Sequence, residues 1–77
     1  MYQFHITVNS FRQIRDFVSL AMVQPFEVLV GNGSRQVSGK SFIGMFCLDY
    51  KRPLQVSVKC SEEEFGKFRQ AAAEIVA

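Results

Sequence analysis

The stretch of this chain with the most chemistry in it is Gly39-Lys40-Ser41, followed at once by Phe42-Ile43-Gly44-Met45-Phe46-Cys47-Leu48. A glycine, a lysine and a hydroxyl in a row can close a phosphate-cradling loop, in which backbone N–H groups hold phosphates and the lysine reaches the outer ones. The preceding residues, Ser34-Arg35-Gln36-Val37-Ser38, lack a glycine at the required spacing, and no long strand–helix–strand unit surrounds them. That reading closes, and a helix start remains. Serine directly before apolar residues is a favoured N-cap, because its oxygen accepts an orphan N–H of the first turn. The run after Ser41 is too short, and too apolar all round, to hide under one sheet. Part of Phe42, Ile43, Met45 and Phe46 is therefore expected at the surface, where clustered apolar side chains mark an interface.

Other reactive residue types give weaker patterns. His5 alternates with apolar neighbours and has no flanking carboxylate or nucleophile, which reads as a solvated strand histidine. Glu62-Glu63-Glu64 supplies adjacent carboxylates, but a helix N-terminus explains them fully through its positive dipole end. Cys47 and Cys60 lack metal-ligand spacing and read as reduced thiols. The single histidine and the dispersed acids form neither a metal set nor a catalytic triad. The residues therefore read as a protein that is not an enzyme and needs no cofactor or metal.

The elements that must position these residues follow from periodicity. Tyr2, Phe4, Ile6 and Val8 alternate with polar residues, a half-buried strand. Ser10 with Gln13 has capping-box spacing, and Ile14, Phe17, Val18, Ala21 and Met22 make one helical stripe until Pro25. Arg12 and Asp16 on its other side are an i,i+4 pair. Phe26 to Val30 is a second strand, Gly31-Asn32-Gly33 a turn in which glycine and asparagine accept positive φ, and Ser34 to Ser38 a short polar edge strand. The helix after Ser41 closes in the loop Asp49-Tyr50-Lys51-Arg52-Pro53. Leu54, Val56, Val58 and Cys60 alternate as a fourth strand. Ser61 with Glu64 is a second capping box, opening a helix with Phe65, Phe68, Ala72, Ile75 and Val76 on its apolar face and Gly66 as a weak point. The predicted order is βαββαβα, an α+β open-faced sandwich: a four-stranded antiparallel sheet with three helices on one face.

Seventy-seven residues make one domain, 1–77, with a thin core, and eight Phe with no Trp predict that Phe builds it. A hydrophobic share of 48% against 21% charged reads as globular, not disordered. A net charge of +2 from scattered basic residues argues against direct nucleic-acid binding. No apolar run approaches the roughly 18 residues of a membrane span. Met1-Tyr2-Gln3-Phe4-His5-Ile6 carries neither a basic segment nor a long apolar one, so a complete cytoplasmic chain without a signal peptide is expected.

At Lys40-Ser41-Phe42-Ile43-Gly44-Met45-Phe46-Cys47-Leu48, within a βαββαβα chain of this length, the sequence resembles the HPr phosphocarrier family. That family belongs to the bacterial phosphoenolpyruvate:sugar phosphotransferase system. Its second helix opens with a Lys-Ser pair, followed by an apolar, Gly-containing run ending near a leucine. Its phosphoryl acceptor is a histidine in a Gly-hydrophobic-His-x-Arg-Pro segment at the start of the first helix. Aligned without gaps from the N-terminus, Phe4, Thr7 and Ser10 match, and Gln13-Ile14-Arg15 falls on His-x-Arg. Anchored on Phe17-Val18 instead, Ser10 takes the place of the histidine and Arg12 that of the arginine. Neither alignment yields a histidine, the family's Gly and Pro are missing, and this region is a few residues shorter than the pattern.

Phosphohistidine transfer needs an imidazole nitrogen as nucleophile. A Gln amide cannot replace it, and a Ser would form an ester of different transfer properties. The resemblance therefore implies a member without phosphocarrier activity, in which Ser10, Arg12, Gln13 and Arg15 are degenerate active-site positions. Ser41 matches the regulatory serine that HPr kinase phosphorylates in low-GC Gram-positive bacteria. There the phosphoserine form is a corepressor with a LacI-type regulator in carbon catabolite repression, and a paralogue keeps that serine while carrying Gln for the histidine. Ile43 and Phe46 fall where family members expose apolar residues to partners, with Phe42 a third such position. The partners implied are HPr kinase, an Enzyme I-like protein or a LacI-type regulator. The reading is a regulatory, protein-docking module, with Ser41 either phosphorylated or simply a cap. A residual phosphocarrier fed by Enzyme I, and a self-associating structural domain using the same patch, stay open.

Overall fold

The computed structural model describes residues 1–49 and 51–76, so Tyr50 of the expected closing loop lies outside the described residues. The elements run β1 (Tyr2–Ile6), α1 (Phe11–Met22), β2 (Val28–Gly31), β3 (Gln36–Ser38), α2 (Phe42–Phe46), β4 (Leu54–Val58) and α3 (Glu62–Ala71). The strands form one antiparallel sheet in the order β1-β4-β2-β3, the α+β sandwich the periodicity predicts. β4 sits inside the sheet, with Val56 opposite Phe4 on one side and Val30 on the other. Its residues Leu54, Val56 and Val58 point into the core.

The helices cover that inner face. From α1, Ile14, Phe17, Val18 and Ala21 are buried; α2 contributes Met45 and α3 contributes Phe68. Phe68 is the hub, with the rings of Phe4, Phe17 and Phe26 at 6.0, 5.9 and 5.7 Å. The opposite face carries exposed Gln3 and His5, half-buried Gln55 and Leu29, and Ser57, which is buried because so small a side chain lies in the middle row between Gln3 and Leu29. Among the described residues no helix is long and apolar enough to cross a membrane.

Several boundaries differ from the periodic reading. β1 stops at Ile6, yet Val8 stays buried, because the chain leaves the sheet and still passes over the core. β2 begins at Val28, not Phe26, since Phe26 turns inward onto Phe68 before the ladder starts. β3 spans only Gln36–Ser38, leaving Ser34 and Arg35 in the turn. In that turn only Gly33 takes positive φ, at 100°. Asn32 contributes differently: its side-chain oxygen accepts the Arg35 N–H at 3.2 Å. β4 ends at Val58, and Cys60 packs at the core margin without joining the ladder.

Met22 is the one stripe residue that fails. It is 58% exposed, because at 100° per residue it falls about 90° from the centre of the Ile14–Phe17–Val18–Ala21 stripe. α3 likewise stops at Ala71, short of the predicted face through Val76. Thr7 donates its N–H to the Ile75 carbonyl at 2.7 Å, and Val76 bridges Ile6. Pairing with the open edge of β1 competes with another helical turn and wins, so Ile75 enters the core from a tail segment.

Candidate functional site

Position of the Lys40–Leu48 stretch is set from below by Gly39. A Cβ there would lie 2.7 Å from Val28 Cγ1 and 3.2 Å from both Phe17 Cε2 and Val30 Cγ2. The Gly39 N–H donates to the Val28 carbonyl at 2.8 Å. The glycine of Gly39-Lys40-Ser41 thus seats the chain against the core. Lys40 then reaches back, its Nζ donating to the Gln24 carbonyl at 2.8 Å, so the start of α2 is held beside the end of α1.

Ser41 caps α2 as its position predicts. Its Oγ accepts the Gly44 N–H at 3.1 Å and its carbonyl accepts that of Met45 at 3.0 Å. Of the apolar run, Met45 and Leu48 go inward, at 0% and 4% exposed. Ile43 is 80% exposed, and Phe42 and Phe46 each show more than a third of their surface. A single five-residue helix can aim only one side at the sheet, and Met45 occupies it. Cys47, directly after, is exposed.

A further aromatic joins this surface from α1. Phe11, the first residue of that helix, is 64% exposed and its ring stacks on Phe46 at 5.0 Å between centroids. Phe46 in turn stacks on Phe42 at 6.3 Å. Reasoning from periodicity passes over Phe11, because it lies off the buried stripe. A large apolar residue immediately after an N-cap and outside the stripe is the signal that could have found it. Beside this stack runs an open groove of about 540 Å³, lined among others by Ser10, Phe11, Ile14, Phe46, Asp49 and Lys51.

The four positions that the resemblance sets against the family's active-site segment, Ser10, Arg12, Gln13 and Arg15, lie at the start of α1 and around its outer side. Ser10 is the N-cap, its Oγ accepting the Gln13 N–H at 3.3 Å. The Gln13 side chain does not complete the capping box on Ser10; its Oε1 accepts the N–H of Asn9, one residue earlier, at 2.6 Å. Arg12 and Arg15 share Asp16, at 3.7 and 3.8 Å, all three side chains being more than half exposed. Such pairs contribute little to stability. His5 stands on the open face of the sheet, away from the helical layer that carries these four residues. Ser61 and Glu64 form a complete capping box, which leaves the Glu62–Glu64 carboxylates a local structural reason. Among the described residues, no three His, Cys, Asp or Glu side chains group as metal ligands.

Scanned against protein-family models and searched against curated proteins, the chain matches none.

Proposed function

We propose that this chain is an HPr-like regulatory docking module, without phosphocarrier or enzymatic activity, that binds protein partners in the cytoplasm through its α2 surface. The observation that carries the reading is the exposed group Phe42, Ile43 and Phe46, extended by the stack of Phe11 on Phe46. A chain of this size that buries Met45 and Leu48 yet leaves these rings in water gains from covering them. The element order and the Lys40–Leu48 match support the family assignment, and the Ser10–Arg15 segment, without a histidine, supports the loss of phosphoryl transfer.

Ser41 is the proposed control point. Its hydroxyl is half-buried at a helix start, and a phosphoester there adds about two negative charges next to the docking residues. Intact mass after incubation with HPr kinase and ATP should rise by one phosphate, and a Ser41→Ala control should not change. An unmodified wild-type chain removes the regulatory part and leaves Ser41 as a cap. Docking is tested separately by titrating the isotope-labelled chain with a LacI-type regulator and with Enzyme I. Amide shifts should centre on α2 and the start of α1 and vanish in Ile43→Asp; shifts centred on the open sheet face would overturn the assignment of the surface.

A further inference from the structure

The exposed apolar surface extends beyond α2. Phe46 stacked on Phe11 sets the end of α2 beside the start of α1, and Lys40 bonded to the Gln24 carbonyl sets the start of α2 beside the end of α1. The two helices therefore run in opposite senses along a shared flank. On α1 that flank carries Phe11 and Met22, three turns apart and about 20° from alignment, with the exposed side chain of Arg15 on the same line between them. Both are more than half exposed. With Phe42, Ile43 and Phe46 they form a band along the α1–α2 side of the molecule.

From the exposed fractions, these five side chains present roughly 500–600 Å² of apolar-residue surface, at the upper end of the largest patch on a typical monomer. One side of a stable two-fold dimer buries about 800 Å². The band supplies most of that area, and the neighbouring stems of Arg12 and Arg15 with Cys47 can supply the remainder. Composition points the same way, since homodimer interfaces are the more apolar class and centre on aromatic residues. Both signs are present: Arg15 within the α1 flank, Arg12 and Asp16 at its margin, and Asp49 and Lys51 beside the groove. A mixed rim lets a two-fold pairing set cation against carboxylate, where a rim of one sign would repel its own copy.

We infer that a second copy of this chain covers the Phe11–Met22–Phe42–Ile43–Phe46 band, in a two-fold α1–α2 dimer. The inference rests on the reading of this face as the docking surface and names its resting occupant. Partner and second copy then compete for one face, so docking falls as the chain's own concentration rises.

Sedimentation equilibrium across low to high micromolar concentrations tests this. Wild-type mass should climb from 8.8 kDa towards twice that value. Ile43→Asp and Phe46→Asp should each raise the dissociation constant about tenfold or more, and Arg35→Asp, in the exposed β2–β3 turn, should leave it unchanged. Amide shifts of the wild type on dilution should be confined to the five residues and their neighbours, a readout that does not depend on any variant folding. A monomer at every concentration overturns the dimer, while the partner titration with Ile43→Asp still decides the docking reading on its own. A dimer that persists in both Asp variants, or dilution shifts on the open sheet face, also overturns it by assigning self-association to another surface.

Discussion

The ring of Phe11 lies nearly parallel to that of Phe46, 22° between planes with centroids 5.0 Å apart. One residue opens α1 and the other closes α2, so this contact ties the two helices together where α1 begins and α2 ends. It also holds in place two rings that water reaches. A side chain clamped in this way costs less entropy to bind than a free one, which suits an anchor for a second molecule.

A double-mutant cycle on Phe11→Ala and Phe46→Ala should return a coupling of about 0.5–1.5 kcal/mol, at the low end because both rings are exposed. Ile43→Ser, at a position 80% in solvent, should change stability by no more than about 0.5 kcal/mol. Urea unfolding followed by circular dichroism measures all of these. A large loss at Ile43 would mean that this residue is core.

Gly39→Ala should destabilise the chain by about 1–3 kcal/mol, because the new methyl meets Val28, Phe17 and Val30 in a packed interior. The same urea experiment reads it out. An unchanged midpoint would show that the segment before α2 can lift away from the sheet at no cost.

Gly66→Ala should do the opposite. Gly66 lies inside α3, is exposed, and a Cβ there meets nothing within 4 Å. Removing the entropy penalty of a mid-helix glycine should add about 0.5–1 kcal/mol, visible as a raised melting temperature. A loss of stability would contradict the exposed helical position.

Burial pushes the Cys60 thiol up, and the Glu64 carboxylate adds to this, against a smaller downward pull from the N-terminal ammonium. The folded chain keeps this proton at pH values where the unfolded chain has released it. The contribution to stability is therefore complete below the ordinary thiol range, near about pH 8.5, and is lost as pH rises through the higher folded value. Between about pH 8 and pH 10, wild type should lose more melting temperature than Cys60→Ala, the variant cancelling the other groups that titrate there. Equal slopes would show an ordinary thiol. At neutral pH, Cys47, which is exposed, should be alkylated well before Cys60.

Element types and their order were legible because they are local. Alternation of Phe4 and Ile6 with polar residues, the caps at Ser10, Ser41 and Ser61, and the glycines around Asn32 each act within a few residues. The failures were at ends, where two local solutions compete. Ile75 and Val76 continue a helical spacing, yet the open edge of β1 offers hydrogen bonds that another turn of α3 cannot match. Met22 keeps a nominal i+8 spacing but drifts off the stripe, as 3.6 residues per turn requires.

The candidate surface shows the same division more sharply. Composition and spacing alone determined that a Phe-rich chain would build a two-layer α+β sandwich, and that the run after Ser41 held more apolar bulk than one short helix could bury. Which rings stayed outside was a tertiary decision. Of eight phenylalanines, Phe4, Phe17, Phe26 and Phe68 fill the core, Phe65 sits half-buried against Tyr2, and Phe11, Phe42 and Phe46 face solvent. Each Phe has the same transfer free energy, so the residue type cannot say where it goes. The choice follows from the seating of Gly39 on Val28, the inward turn of Met45 and the approach of α1 to α2, none of which exists until the layers have packed.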